Sequence, residues 1–563
     1  MVRITSTEMK GGYVSSCYED MFSEKPFIYK DVTKTLILSA KRRSKKSTSP
    51  LRESWFPLRK SLFPHVAPYV IFQLHDGKKI FPKDSFPKEI SEHLTWEVGT
   101  STPWIVRKTV ESSGYRLVLG TEDWCGTWSE CKYTFCYKML KRHQKMNHFP
   151  GTYEIGHKDR LWKNISRLRA RFGKRCFAFI PRTFVLPTDF DQLRRVWESN
   201  KPRNKWILKP PASSRGRGVS VVSRWTQIPR TQSFTVVQQY LSRPKLINDS
   251  KFDLRIYALI TDFDPLKIYV YSEGLVRFAS ARYDRADVSL TNKFIHLTNY
   301  SVNKESMDYV SNDSMDQPKG HKWALKCLWR YLRAQQVDVD GLRTKIHDIV
   351  VKAVISGESS VHCFSRVHLA PGSKHNCFEL LGFDILIDEN LKPWLLEVNI
   401  SPSLHAPSPL DVGVKGHLVR DVLNLVGYRV PPPVLRKMAE RRDLGFFYQD
   451  FRATEKPLSS KEKRKQMQFM YQRERGDSKL GSILEHLTPD DVRSLVHYED
   501  EVARLGQFLK VFPTPGTHSY FRYFEAPRYY NLLLGAWEIA HGHNRKAGIE
   551  LLRSLCAKKY HLR

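Results

Sequence analysis

Residues 377–401, CFELLGFDILIDENLKPWLLEVNIS, constrain the fold more than any other stretch. Two apolar runs flank Asp388-Glu389-Asn390, which supply turn chemistry, so the segment reads as a β-hairpin. Side chains alternate faces along a strand. With the turn centred between Asn390 and Leu391, Asp384 lies opposite Glu397, and Asn399 projects on the same face one pleat further on. The neighbours Leu395, Leu396 and Val398 demand burial, and an unpaired carboxylate is costly to bury. Three oxygen donors converging on one small volume, with room for phosphate oxygens and water, suit a Mg²⁺ site of the kind used in nucleotide chemistry.

Upstream of the hairpin, short β-rich runs alternate with turn residues: KWILKP (205–210), GVSVVS (218–223), FTVVQQYL (234–241), FDLRIYALIT (252–261) and KIYVYSEGLVRFAS (267–280). Helical spacing marks KDRLWKNISRLRARFG (158–173), with Gly173 as its stop, then 321–335 and 341–356. WIVRKTVESSGYRLVLG (104–120) alternates as strand material. Strands mixed with helices in this order predict an α+β architecture rather than a doubly wound sheet. Beyond Gly427 the composition turns Pro-rich and then basic, with EKRKQMQFMYQRERG (462–476) strongly cationic and read as exposed. Residues 488–512 read as a helix, with Thr488 as N-cap, Pro489 at N1 and Asp490 and Asp491 in the first turn.

Several runs carry polar groups suited to a phosphate ligand. In WILKPPASSRGRGVSVV (206–222), Lys209 ends a strand and Gly216-Arg217-Gly218 lets backbone N–H groups approach phosphates. No GK[ST] opens a helix there, so this is not a Walker loop. VVQQYL (236–241) offers backbone groups and the Gln238 amide to an adenine edge. KFDLRIYAL (251–259) places Lys251, Asp253 and Arg255 on one strand face, and Arg277 and KFIHLTNYSVNK (293–304) add cations and hydroxyls.

Lys and Arg number 92 against 58 Asp and Glu, a net charge of +34, which points to a polyanionic partner. No RNA- or DNA-binding signature appears, so a nucleic acid is not the expected partner. No apolar run approaches the roughly 18–20 residues of a membrane span, and the N-terminus lacks an apolar signal core. The nine cysteines form no CxxC pair, which suggests reduced thiols and a cytoplasmic protein. Cys125, Cys131, Cys136, His143 and His148 are spaced unlike any common zinc finger and read as ordinary side chains.

Taken in order, KPPASSRGRG, QQYL, KFDLRIY, EGLVRFAS, HLTNYSVNK and FDILIDENLKPWLLEVNISPSLH resemble the tubulin tyrosine ligase-like family, with NHFPGTYEIGHKDRLWKN (147–164) at the start of the match. The likeness covers about residues 147–427 and is strongest to the subtype-four glutamylases. It implies an ATP-grasp-like ligase: a flexible basic segment (1–60), an N-terminal subdomain (61–160), a central one (161–243), a C-terminal one with the metal site (244–430), and a basic, partly helical extension (431–563). It implies ATP contacts at Lys158, Lys209, Arg215, Gly216, Gln238, Gln239, Tyr240, Leu241, Lys251, Phe252, Asp253, Thr298 and Asn299. Asp384, Glu397 and Asn399 match the magnesium ligands. Arg277, Tyr300, Ser301 and Lys322 match the positions that hold the incoming amino acid, while Lys251, Arg255 and His296 fall at the catalytic centre. Gln239 stands where relatives often carry Lys or Arg.

The activity so implied is ATP-dependent, chain-initiating ligation of free glutamate, by its amino group, to γ-carboxylates in acidic tubulin tails through an acyl phosphate. Other acidic proteins are further candidate acceptors, and microtubules or the cilium the implied location. The +34 charge suits such acceptors, and the basic extension is a candidate microtubule-docking surface. Glycine or tyrosine ligation by the same fold, and a microtubule-binding protein with a dead ligase domain, are the alternatives.

Overall fold

The computed structural model describes residues 58–431 and 456–563, apart from 75–85, 87, 121–122, 131–133, 200–204, 214, 231–232, 287–288, 371–373 and 477–478. The expected flexible segment through residue 57, the onset of the basic extension at 432–455, and Cys131 lie outside the described residues.

Four short strands form a parallel sheet in the order β2-β1-β3-β4: β1 (Thr95–Glu97), β2 (Arg116–Val118), β3 (Gly126–Thr127) and β4 (Lys145–Met146). Strands of two or three residues leave no periodic trace, so the α+β reading missed this sheet. Residues 104–120 are not one strand: helix α1 (Trp104–Ser112) comes first and only 116–118 extend. Ile105, Val106, Thr109 and Val110 are its buried face, a helical spacing that the alternation obscured. Helix α2 (Lys158–Phe172) ends, as predicted, at Gly173, whose φ is +86°.

A second, antiparallel sheet has the order β5-β8-β6-β7: β5 (Thr183–Leu186), β6 (Trp206–Lys209), β7 (Ser220–Val222) and β8 (Thr235–Gln239). Helix α3 (Phe190–Ser199) packs on it, and Phe184, Leu193, Trp206 and Val237 belong to a small core separate from the main one.

The main sheet has seven antiparallel strands: β9 (Leu246–Ile247), β10 (Ser250–Phe263), β11 (Leu266–Phe278), β12 (Lys322–Ala324), β13 (Glu379–Ile387), β14 (Pro393–Asn399) and β15 (Phe508–Phe512). Its path is β12-β11-β10-β13-β14, with β9 added to β10 and β15 to β11. The β13–β14 hairpin sets Asp384 opposite Glu397 and Gly382 opposite Asn399, as alternation predicts. Nearer the turn the register is offset by one residue, with Ile385 opposite Leu395; a bulge at Leu396 absorbs the difference. Helices α4 (Leu325–Ala334), α5 (Val339–His368) and α6 (Pro409–Val426) complete this region. Lys322, expected in a helix over 321–335, instead sits on β12.

Past residue 456 the chain folds back onto the sheet as α7 (Ser460–Glu474), α8 (Pro489–Val502), β15, α9 (Tyr529–His541) and α10 (Arg545–Ala557). The expected helix over 488–512 stops at Val502; Gly506, with φ +55°, turns the chain, and FLKVF joins the sheet edge. Thr488 caps α8 as predicted, its hydroxyl accepting from the Asp491 N–H. The inner face of α8 is acidic and buried. Glu501 meets Lys267 at 2.7 Å and accepts from the Tyr269 hydroxyl at 2.6 Å. Asp500 accepts from Leu62 N–H at 2.8 Å and from the Tyr69 hydroxyl at 3.0 Å. Lys463 and Arg464 on α7 are exposed as expected, but Lys465 is not free: it meets Asp491 at 2.7 Å.

The C-terminal segment is therefore part of the folded body. Deleting residues 456–563 is expected to abolish cooperative unfolding as followed by circular dichroism. Lys267→Met, which leaves Glu501 buried without its cation, is expected to lower unfolding free energy by about 3–5 kcal/mol in urea titrations. A truncated chain that melts cooperatively near the full-length midpoint contradicts this reading.

Candidate active site

Cross-strand register lays a charged ridge over one face of the main sheet. Asp253 on β10 faces Arg277 on β11, which faces Lys322 on β12. Arg255 faces Asp384 on β13, which faces Glu397 on β14. The intervening Leu254 and Ile256 point into the core. Arg255 grips Asp384 with two bonds, Nε to Oδ1 at 2.6 Å and Nη2 to Oδ2 at 3.1 Å. Arg277 grips Asp253 likewise, at 2.8 and 2.5 Å, and its Nη2 also reaches Asp384 Oδ2 at 2.8 Å. Burial opposes ionisation of Asp384, but the two arginines outweigh it and hold the carboxyl well below its usual range.

Glu397 lies 3.2 Å from Lys158 Nζ, and its other oxygen accepts from Asn399 Nδ2 at 3.3 Å. Asp384, Glu397 and Asn399 thus gather as expected, and three hard oxygen donors on adjacent strands fit Mg²⁺. Among the described residues no group of three or more His, Cys, Asp or Glu side chains gathers as a metal site. In particular, Cys125 bonds to the His93 carbonyl and His148 pairs with Glu379 at 2.8 Å.

Three lysines, 158, 209 and 251, point into a narrow cavity of about 90 Å³ bordered by Asp384 and Glu397. Lys158 also donates to the Ser213 carbonyl at 3.0 Å, tying the glycine loop to the carboxylates. Arg215, Gly216, Gln238 to Leu241, Asp253, Thr298 and Asn299 line the same cavity, as expected of nucleotide contacts. Arg215 and Gly216 both have positive φ, +63° and +72°. A β-carbon on Gly216 would come within 3.1 Å of Val302 Cγ2 and 3.2 Å of Asn299 Oδ1, a tight fit, and the positive φ there favours glycine. Ser301, expected at the amino acid, pins this loop by donating to the Arg215 carbonyl at 3.0 Å.

Four expectations are corrected here. Phe252 does not line the cavity; it is buried against Phe278, ring centres 5.6 Å apart. The Gln238 amide is not free for an adenine: its oxygen accepts from Lys209 Nζ at 2.7 Å and its nitrogen donates to Thr183 at 2.9 Å. The N–H groups of Gln239 and Tyr240 are likewise given to the carbonyls of Arg182 and Lys205. His296 has both ring nitrogens engaged, Nδ1 with the Tyr240 hydroxyl at 2.9 Å and Nε2 with the Ser289 carbonyl at 3.1 Å. Burial lowers its pKa to about 4, so it is a neutral positioning residue for Tyr240 and Lys251.

On the other side of the arginine pair opens a wider chamber of about 820 Å³, lined by Arg255, Arg277, Tyr300 and Lys322. Arg277, expected among the residues that hold the incoming amino acid, has Nε and Nη2 already committed to Asp253 and Asp384. A ligand in the chamber meets what remains of the guanidinium. Lys322 lies 4.1 Å from the Tyr300 ring centre and 2.8 Å from Asp411. Asp411 and its neighbour Lys415 escaped the sequence reading. The signal was present, as the cap pattern Ser408-Pro409-Leu410-Asp411 and the i,i+4 pair Asp411–Lys415.

A polyphosphate with its divalent cation suits the first cavity, and an anionic substrate suits the cationic chamber beside it. The tubulin-tyrosine ligase family model matches residues 137–437, a span that contains the whole lining of the first cavity and Arg255, Arg277, Tyr300 and Lys322 of the chamber, but not the chamber's rim at 101–105 and 128–130. The chain belongs to this family. It is 44% identical over 514 residues to the human protein named tubulin monoglutamylase TTLL4, covering 89% of this chain and 42% of that one. The Caenorhabditis elegans tubulin polyglutamylase ttll-4 is 39% identical over 514 residues, 89% of this chain and 80% of its own length. The human tubulin polyglutamylase TTLL5 is 37% identical over 453 residues, 78% and 35% of the two chains. The chain thus spans less than half the length of either human relative.

Burial lowers the pKa of Lys251 to about 7 and of Lys209 to about 8. Between those values and the ordinary lysine pKa the unfolded chain binds more protons, so ligand-free stability rises with pH. Below about pH 7 the folded state carries the full cost of a charged Lys251. Lys251→Met is therefore expected to be most stable relative to the parent near pH 7, with the gap closing toward pH 9 by at most about 1.4 kcal/mol per unit. Urea midpoints measured across that range check it, and parallel pH profiles for the two proteins contradict it.

Proposed function

We propose that this chain is an ATP-dependent tubulin glutamylase of ATP-grasp-like architecture, whose parallel, central and main sheets correspond to its N-terminal, central and C-terminal subdomains. The observation that carries the reading is the adjacency of the three-lysine cavity, lined by Asp384, to the cationic chamber, lined by the two arginines that grip it, Arg255 and Arg277. The names of the relatives supply tubulin as the acceptor, and the monoglutamylase among them favours chain initiation.

In this reading ATP and free L-glutamate are substrates. An acceptor γ-carboxylate oxygen attacks the γ-phosphorus of ATP, and ADP leaves with its bond electrons. The donor amine then attacks the acyl carbon, loses a proton, and phosphate departs. Lys158, Lys209 and Lys251 neutralise charge on the phosphates, and positioning supplies most of the remaining acceleration. Asp384, Glu397 and Asn399 would hold Mg²⁺, which supplies further charge neutralisation on the phosphoryl group. Lys209, kept in place by Gln238, and Lys251, kept by Tyr240 and the His296 carbonyl, stand ready without side-chain rearrangement.

The net charge of +34 would raise the encounter rate with acidic tails, and exposed Lys461, Lys463 and Arg464 on α7 offer a microtubule-facing surface. Residence at microtubules or cilia would follow. No helix among the described residues is long and apolar enough to cross a membrane.

Glu397→Gln keeps the size of the side chain but removes a ligand charge. It is expected to reduce glutamate addition at least a hundredfold, read by mass spectrometry of tubulin tails incubated with ATP and each amino acid in turn, with melting unchanged. Ordinary activity in this variant at ordinary Mg²⁺ contradicts the assignment.

A further inference from the structure

Asn147, Leu380 and Ser401 line the chamber, and behind them lies a buried pair, His148 and Glu379, 2% and 0% exposed. His148 stands two residues past β4, and Glu379 opens β13. His148 Nδ1 meets Glu379 Oε1 at 2.8 Å, and Glu379 Oε2 accepts from the Phe149 N–H at 3.0 Å, so the carboxylate is held from two sides. The other ring nitrogen, Nε2, lies 3.4 Å from the hydroxyl of Ser401, which is exposed. A structural pair accounts for the burial of these two groups but not for an Nε2 turned toward a chamber-lining hydroxyl. A hydroxyl open to substrate, an imidazole behind it and a carboxylate behind that make a proton path out of the chamber.

Chemistry sets the direction of that path. A carboxylate can only accept, so His148 donates from Nδ1, and Nε2 keeps its lone pair for Ser401. Burial lowers the proton affinity of the ring, and Glu379 with the Ser129 carbonyl more than restores it, so a proton taken at Nε2 is supported. Ser401 follows Asn399 by two residues, a chain span of at most about 7 Å, which puts its hydroxyl near the reacting centre. A free amino acid carries its amino group as an ammonium at neutral pH, with no lone pair to attack an acyl carbon, and that ammonium needs a proton acceptor.

Resting on the ligase reading above, we propose that Ser401 and His148, oriented by Glu379, form a relay that takes the proton of the donor ammonium. The ammonium passes a proton to the Ser401 oxygen as the Ser401 hydroxyl proton passes to His148 Nε2. The freed lone pair of the amine forms the N–C bond to the acyl carbon, the C–O bond to phosphate breaks, and phosphate leaves with that electron pair. The amine's second proton goes to the departing phosphate, and His148 returns its own to solvent through Ser401. Ser401 is the residue that touches the substrate; His148 and Glu379 act through it.

The test compares the parent, Ser401→Ala, Ser401→Thr and His148→Gln, with ATP, a tubulin-tail peptide and either L-glutamate or hydroxylamine. Hydroxylamine is already neutral at pH 7, so it attacks the acyl phosphate and gives a hydroxamate without the relay. At pH 7 Ser401→Ala and His148→Gln are expected to lower kcat with glutamate roughly a hundredfold, the lower end of what general-base transfer supplies. KM for glutamate and for ATP, and the rate of hydroxamate formation, stay within about twofold of the parent. The glutamate deficit shrinks as pH rises and more donor is already neutral, and Ser401→Thr restores most of the rate. Should the buried His148→Gln not fold, Ser401→Ala decides alone. An unchanged kcat for glutamate in Ser401→Ala overturns the relay. So does an equal loss with glutamate and hydroxylamine, which assigns Ser401 to acyl-phosphate formation, or a deficit that does not vary with pH. A parent that forms neither amide nor hydroxamate sinks the ligase reading and the relay with it. A parent that transfers glycine or tyrosine instead of glutamate sinks the glutamylase reading alone, because the relay serves any amino donor, and the same comparison with that donor decides the relay.

Discussion

The buried carboxylate of Asp384 is where the strand register and the site chemistry meet. It carries its charge in the sheet only because Arg255 stands opposite it on β10 and Arg277 reaches it from β11. Each arginine needs its own long strand, 14 and 13 residues, to be held rigid in the middle of the main sheet. A one-residue slip would send the whole polar row into the core and bring Leu254 and Ile256 out. Register is thus fixed by charge on one face and by apolar burial on the other. The same two guanidinium groups line the chamber suited to carboxylates and grip Asp384, which lines the cavity suited to polyphosphate.

Lysines 209 and 251 follow a related logic. Both are placed by neutral partners, an amide, a phenol and a carbonyl, not by carboxylates that a phosphate would have to displace. Burial weakens their hold on a proton, and an arriving polyanion restores it, so binding and protonation reinforce each other. The acidic inner face of α8 works differently: its carboxylates meet protein cations, hydroxyls and N–H groups, Glu499 through one oxygen only, and lock the C-terminal segment to the sheet. Part of the basic composition there is spent inside the molecule, where Lys267, Arg493, Lys510 and Arg545 meet buried acids.

Much of the site was legible because its residues alternate on strands. Two-residue periodicity put Asp384, Glu397 and Asn399 on one face and Asp253 with Arg255 on another strand's, and the bulge at Leu396 left that result intact. What strand alternation cannot convey is who already holds whom. Gln238, Arg277 and His296 were each read as site residues, and each is engaged by a protein partner far away in sequence, Thr183, Asp384 and Tyr240 among them. The helix expected over 488–512 failed for a similar reason: good capping identified its start, but only the vacant edge of β11 makes a strand of 508–512. Asp411 and Lys415 were hidden because a capping residue and an i,i+4 pair are usually surface features, and burial alone gives them a role.

The central claim is that Asp384, Glu397 and Asn399 hold a divalent cation against a nucleotide bound among Lys158, Lys209 and Lys251. Crystals grown with Mn²⁺ and a non-hydrolysable ATP analogue test it most directly, through the anomalous signal of the metal. The account predicts an anomalous peak at coordination distance from side-chain oxygens of all three residues and from the analogue's phosphates, with the three lysines on the phosphate chain. A nucleotide-bound structure whose metal peak lies away from these oxygens, or whose phosphates avoid the lysines, would contradict it.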